Sequence, residues 1–402
     1  MASRPPLPEI IPIRSDPGVK RDGTQFDGNN YVDAKWCRFQ NGLPRKMLGY
    51  RSINKYLEGL GRTIHEYTQN SLTYIHVGSA NRVERFHIDG SFNTSIITDR
   101  TPLSGFTTDD DNLWQFDIDH CIVGGLVVPV LVAQVAPNLD CLCNTVGGEL
   151  FYGTLTGTDP LVPITTLPST ANASGGIVAL HPYTVAFGTN GYIMWSMPDD
   201  PTDFTGSGAG YASITGQKLI RALPLRSGSG NSPGGLLWSA DSLIHMSYVG
   251  GTAVFDFDTL SAESSIMSAQ SVVEYDGVFY WVGSDRFLMF NGVVREVPNM
   301  LNRDYFFDNL NYTYRQKVFA FKVPRFGEIW WCYPSGDSTE ANEAVIFNVR
   351  ENTWYDTALP DGGRGAAIFP SIFRRPLMTG VDEQPYVIDE ATVATAGTGY
   401  VV

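Results

Sequence analysis

Charge is scarce in this sequence. Asp, Glu, Lys and Arg make up only 17% of 402 residues, whereas hydrophobic residues reach 43%. That balance excludes a disordered chain and supports a sizeable buried core. Positive charge is the scarcer sign, leaving a net charge of −14. An acidic surface repels phosphate, which argues against sequence-reading of DNA. It does not exclude an acidic wall past which DNA slides without sticking. Cysteine is sparse and odd in number at five: Cys37, Cys121, Cys141, Cys143 and Cys332. Only Cys141 and Cys143 lie close together, and two sulfurs are too few for a structural zinc site, so reduced core thiols are expected.

Long apolar runs are missing too. The most apolar stretch, residues 121–136, is interrupted by Gly124, Gly125 and Pro129. It reads as buried strand, so no membrane span is expected. The first fourteen residues are Pro-rich without an apolar core, which is not the pattern of a signal peptide. The GxxxxGK[ST] and HExxH signatures are absent, and the Gly- and Ser-rich stretches at 206–210 and 227–230 read as flexible loops. The six histidines (His65, His76, His87, His120, His181 and His245) are scattered; pairing of His76 with His87 across a hairpin is one reading, and half-buried histidines satisfied within the fold are the expectation. Asp109-Asp110-Asp111 lacks the glycine and glutamate of a calcium loop. The reading assigns no catalytic, cofactor-binding or metal-binding residue, no cofactor, and no enzymatic activity.

What is present is turn chemistry and aromatic strands, with 41 Gly, 24 Pro and 12% aromatics. A short alternating strand, a turn and an aromatic strand recur from residue 66 onward. Residues 71–77 (SLTYIHV) turn into 83–88 (VERFHI), and 183–187 turn through Gly188 to Gly191 into 192–196 (YIMWS). Residues 242–248 turn at Gly250-Gly251 into 253–257, and 272–275 turn at Asp276-Gly277 into 278–282 (VFYWV). Residues 318–323, 328–333 (EIWWCY) and 344–349 (AVIFNV) continue the pattern. In 328–333, alternation puts Ile329, Trp331 and Tyr333 on one face and Trp330 and Cys332 on the other. Apolar residues on both faces mark a strand inside a sheet packed between two others. Units about 40–55 residues apart, each too small to bury its own face, suggest propeller blades. An array of β-sandwiches would show similar strands.

The expected fold is therefore all-β: a degenerate β-propeller with an extended N-terminal arm and long inserted loops. Residues 1–60 form the arm, with Pro5, Pro6, Pro8 and Pro12 near its start. Residues 61–390 form the body, with inserted loops at about 136–172 and 199–233, and 391–402 form a tail. One helix is expected over 297–311, from the spacing of Leu301, Tyr305, Phe306 and Leu310. The arm holds much of the scarce positive charge, making Trp36, Arg38, Arg45, Lys46 and Arg51 a candidate contact with an acidic neighbouring subunit, the alternative being a local patch that offsets nearby carboxylates.

Several segments in order resemble a known family. Asp22-Gly23-Thr24, Trp36-Cys37-Arg38-Phe39 and Gly42-Leu43-Pro44-Arg45-Lys46 resemble the N-terminal block of tail hub or nozzle proteins of short-tailed bacteriophages, the packaged-DNA stabilisation proteins. Residues 196–204 (SMPDDPTDF), 242–257, 283–292 (GSDRFLMFNG), 328–335 (EIWWCYPS) and 348–354 (NVRENTW) are similar to their later blades. The likeness spans about residues 20 to 390. Members usually continue past the segment resembling Pro385-Tyr386-Val387, whereas this sequence stops at Val402. The resemblance implies a propeller, six copies around a channel, and a place in the virion tail below the head-to-tail adaptor, assembled in the host cytoplasm. It also implies contacts with tailspikes or fibres and with passing double-stranded DNA. Asp109, Asp110, Asp111, Asp199 and Asp200 are the candidate acidic lining of that channel. The competing reading is a carbohydrate-binding or carbohydrate-degrading propeller in receptor recognition. It calls for exposed tryptophans and opposed carboxylates.

Overall fold

The computed structural model describes residues 15–401 apart from 25, 27, 54, 90–93, 105–112, 124, 137–148, 226–232, 361, 371–374, 382–384 and 392–399. The fold is all-β, a degenerate propeller. Six four-stranded antiparallel sheets follow one another in the chain, at residues 61–99, 113–163, 176–213, 219–261, 272–296 and 319–358. They are numbered here as blades one to six. A seventh four-stranded sheet combines Arg364–Ile368, Leu377–Gly380 and Pro385–Ala391 with Gly49–Ser52 from the N-terminal segment. Gly49–Ser52 is the outer strand of that blade, so the first part of the chain closes the ring begun by the last.

Local sequence explains the hairpins. Asp276 and Gly277 both have positive φ, 50° and 79°, between Val272–Tyr275 and Val278–Val282. Two such residues form the tight turn whose twist matches paired strands, and glycine adopts it without strain.

No blade buries its own faces, and the core is divided accordingly into clusters between blades. Trp114 and Phe151 meet Val83 between blades one and two, and Val132 meets Ile177 and Met194 between two and three. Val185 and Trp195 meet Leu237 and Phe255 between three and four. Trp238 meets Trp281 between four and five. Around blade six the expected alternation holds. Ile329, Trp331 and Tyr333 pack toward blade five with Tyr280 and Phe287, while Trp330 and Cys332 pack on the other face with Phe39 and Met378. Ile75 and Phe86 meet Ala366 and Leu377 between blades seven and one, completing the circuit.

Three sequence expectations are corrected. The stretches at 136–172 and 199–233 are not wholly loop: Glu149–Thr154 and Val162–Pro163 complete blade two, Gly210–Ser213 completes blade three, and Leu219–Pro224 starts blade four. Their Gly, Thr and Pro content hid strands that are ordered by pairing with their neighbours. The helix over 297–311 shortens to Arg303–Asn309, followed by a 3₁₀ segment Tyr312–Lys317. Asn299 folds back to accept from the N–H groups of Leu301 and Asn302, and Asp22 of the arm accepts from those of Asp304 and Tyr305. Finally, His76 pairs with Arg85 and His65, and His87 lies opposite Tyr74, so His76 and His87 are not partners. His76 is fully buried, and neither ring nitrogen has a hydrogen-bond partner.

Candidate functional site: a protruding hairpin and its aspartate–histidine root

The first two strands of blade two, Leu113–Val123 and Leu126–Ala136, are each 11 residues long, the longest of the described strands. They stay paired from Leu113 opposite Ala136 out to Val123 opposite Leu126. The inner half is core: Trp114, Phe116, Leu131 and Ala133 are buried. The outer end is not. Ile122, Val123, Leu126 and Val127 are 51%, 60%, 72% and 64% exposed. Four β-branched or leucine side chains at one strand end keep the hairpin paired by propensity while offering apolar surface to solvent.

The root of this hairpin is fixed to blade three by carboxylates. The Ala179 N–H donates to Asp117 at 2.8 Å. Burial pushes the Asp117 carboxyl up to about 6, opposed by N–H bonds from Ala179 and Ile118 and by the charge of Arg221. Two residues on, Asp119 is buried and faces His181, with Oδ1 3.2 Å from Nδ1. Thr184 donates its hydroxyl to Asp119 Oδ2. The Ile122 N–H donates to the carbonyl of Asp199 at 3.2 Å, and Asp199 Oδ1 lies 3.8 Å from His181 Nε2. His120 stands edge-on to His181, ring centroids 5.6 Å apart. Beside them burial raises the Cys121 thiol, assisted by the charges of Asp200, Asp119 and Asp199. Nothing in local spacing signals this cluster, because His120 and His181 sit on different blades and meet only through the packing of one sheet on the next.

The predicted contact residues divide in two. Trp36 and Arg38 are buried within this chain. Arg38 donates to Glu328 at 2.8 Å, and its guanidinium lies 3.5 Å from the Phe326 ring centroid. Glu328 also accepts from Tyr355 at 2.8 Å and from Trp330 at 3.0 Å. Arg45, Lys46 and Arg51 are exposed. Of the predicted acidic residues, Asp199 and Asp200 lie at the hairpin root, partly exposed, with Asp200 accepting from Thr202 at 3.0 Å. Asp109, Asp110 and Asp111 fall outside the described residues, as do Cys141 and Cys143.

Polar side chains bridge the middle of the ring. Gln115 of blade two donates to the carbonyls of Gly175 at 2.7 Å and of Ile220 in blade four at 3.3 Å, and accepts from Arg221 at 3.2 Å. Gln270, just ahead of blade five, donates to the carbonyl of Arg62 in blade one at 2.8 Å. All eight tryptophans are buried. Among the described residues, no helix is long and apolar enough to cross a membrane. Comparison with protein-family models and with curated proteins returns no match.

Proposed function

We propose that this chain is a structural subunit of a short-tailed phage virion: a ring-forming hub or nozzle that lines and closes the DNA exit channel. It joins the head-to-tail adaptor to tailspikes or fibres and performs no turnover. The observation that carries the assembly part of this reading is the hairpin end at Ile122, Val123, Leu126 and Val127, apolar and exposed on a rigid paired stalk. Apolar surface of this kind is what subunit contacts cover. The viral assignment draws on the ordered motif resemblance, and the net charge of −14 suits a wall that DNA must pass without adhering. Because side chains bridge the centre of each propeller, the passage belongs between copies. The carbohydrate reading calls for exposed tryptophans, and all eight are buried.

Size-exclusion chromatography with light scattering tests this reading on the purified chain. The expected result is a discrete oligomer, six copies being the number the resemblance implies. A monomer that degrades cell-surface polysaccharide, and loses that activity on one Asp→Asn change, would replace it.

A further inference from the structure

We infer that Asp119, His120 and His181 form a binding site for a divalent transition-metal ion such as Zn²⁺, at the junction between the long hairpin and blade three. One ligand atom from each of the three residues lies within 4.8 Å of the others. The donor set is two imidazoles and a carboxylate, which suits zinc and its neighbours and leaves calcium and magnesium, which take oxygen ligands, poorly served. The separation of Asp119 Oδ1 from His181 Nδ1 is 3.2 Å. Tetrahedral zinc with bonds of about 2.0–2.1 Å sets neighbouring donors roughly 3.4 Å apart. Two of the three donors thus already stand at the edge length of the coordination shell.

The surroundings orient these donors. Thr184 donates to Asp119 Oδ2 and the His120 N–H donates to Oδ1, which fixes the carboxylate with a lone pair of Oδ1 left toward the histidines. If Nδ1 of His181 binds the ion, its Nε2 carries the proton and faces Asp199 Oδ1 at 3.8 Å. A carboxylate behind a ligating histidine is the usual outer partner of such a ligand. Three protein donors leave a fourth position for water. His120 is half-buried and His181 side chain 56% exposed, so an ion reaches the cluster from solvent. The bound ion would tie the hairpin strand bearing Asp119 and His120 to the turn bearing His181, fixing the direction in which the apolar end projects.

The test is calorimetric titration of Zn²⁺ into the full, untagged chain at neutral pH, repeated with Co²⁺ as a spectroscopic probe. One saturable site per chain is expected, with the visible absorption of tetrahedral cobalt. His181→Ala, a change at an exposed side chain, is expected to weaken binding at least tenfold, and Asp199→Asn by about tenfold. His245→Ala, on blade four, should bind as the unchanged protein does. Circular dichroism shows whether each variant is folded. Absence of saturable binding, or binding untouched by His181→Ala, overturns the site. It would mean that Asp119 and His181 form only a hydrogen-bonded contact. The assembly reading is unaffected by either result, because oligomer size is measured separately.

Discussion

Arg38 and Glu328 are 290 residues apart in sequence, and their side chains are 4% and 0% exposed. Removing one partner of such a buried pair strands the other charge and costs about 3–5 kcal/mol, whereas replacing both with neutral groups costs far less. Arg38→Met is therefore expected to lower the urea midpoint sharply, and Arg38→Met with Glu328→Gln to recover most of the loss. His76, fully buried, and His65, partly buried beside it, make a second residue-level prediction. Burial lowers His65 from 6.5 to about 4, helped by Arg221, and holds His76 well below 6.5, helped by His65, Arg100 and Arg85. Below pH 6.5 the unfolded chain takes up protons that the folded chain refuses, so this contribution to stability is full above 6.5 and is lost as pH falls toward 4. Melting temperatures across that window should fall, and His76→Leu should fall less steeply than the unchanged protein. The sequence reading took Trp36 and Arg38 for a contact with a neighbouring subunit or adaptor, whereas both are buried within this chain, and the partner that buries Arg38 arrives from blade six.

In the proposed assembly, the long hairpin is the element that supplies the contact. The sequence reading expected buried strand over residues 121–136, which holds for residues 130–135 but not for Ile122, Val123, Leu126 and Val127, whose exposure depends on the stalk extending 11 residues from Leu113 while its neighbours in the ring stop sooner. Changing Leu126 and Val127 to Ser leaves the core untouched, since both are exposed. Sedimentation velocity should then show the variant dissociating at concentrations where the unchanged protein stays associated, with the same thermal midpoint for the subunit. An oligomer indifferent to these changes would place the contact elsewhere. Strands with period-2 aromatic patterning and Gly-containing turns, such as Val278–Val282 and Glu328–Tyr333, were readable because pattern and pairing agree. Glu149–Thr154 and Gly210–Ser213 were not: the first is an inner strand and the second an edge strand, and both sit in Gly- and Thr-rich stretches and owe their order to the neighbours they pair with.

Across the whole molecule, closure of the ring is a long-range event. Gly49–Ser52 pairs with Pro385–Ala391, and Val19, Phe39 and Tyr50 join the core between blades six and seven. The N-terminal segment is thus part of the body, which the composition boundary near residue 60 did not reveal. Repetition told the fold class, while the closing strand depended on contacts more than 300 residues apart. The same limit applies to the aspartate–histidine root, assembled by two successive blades. The functional account turns on whether these rigid acidic propellers join into a larger ring. Negative-stain electron microscopy of the purified chain measures this most directly. The account predicts closed rings with a central opening, six-fold in the arrangement the motif resemblance implies. Single compact particles at every concentration, with none incorporated into a virus particle, would contradict it.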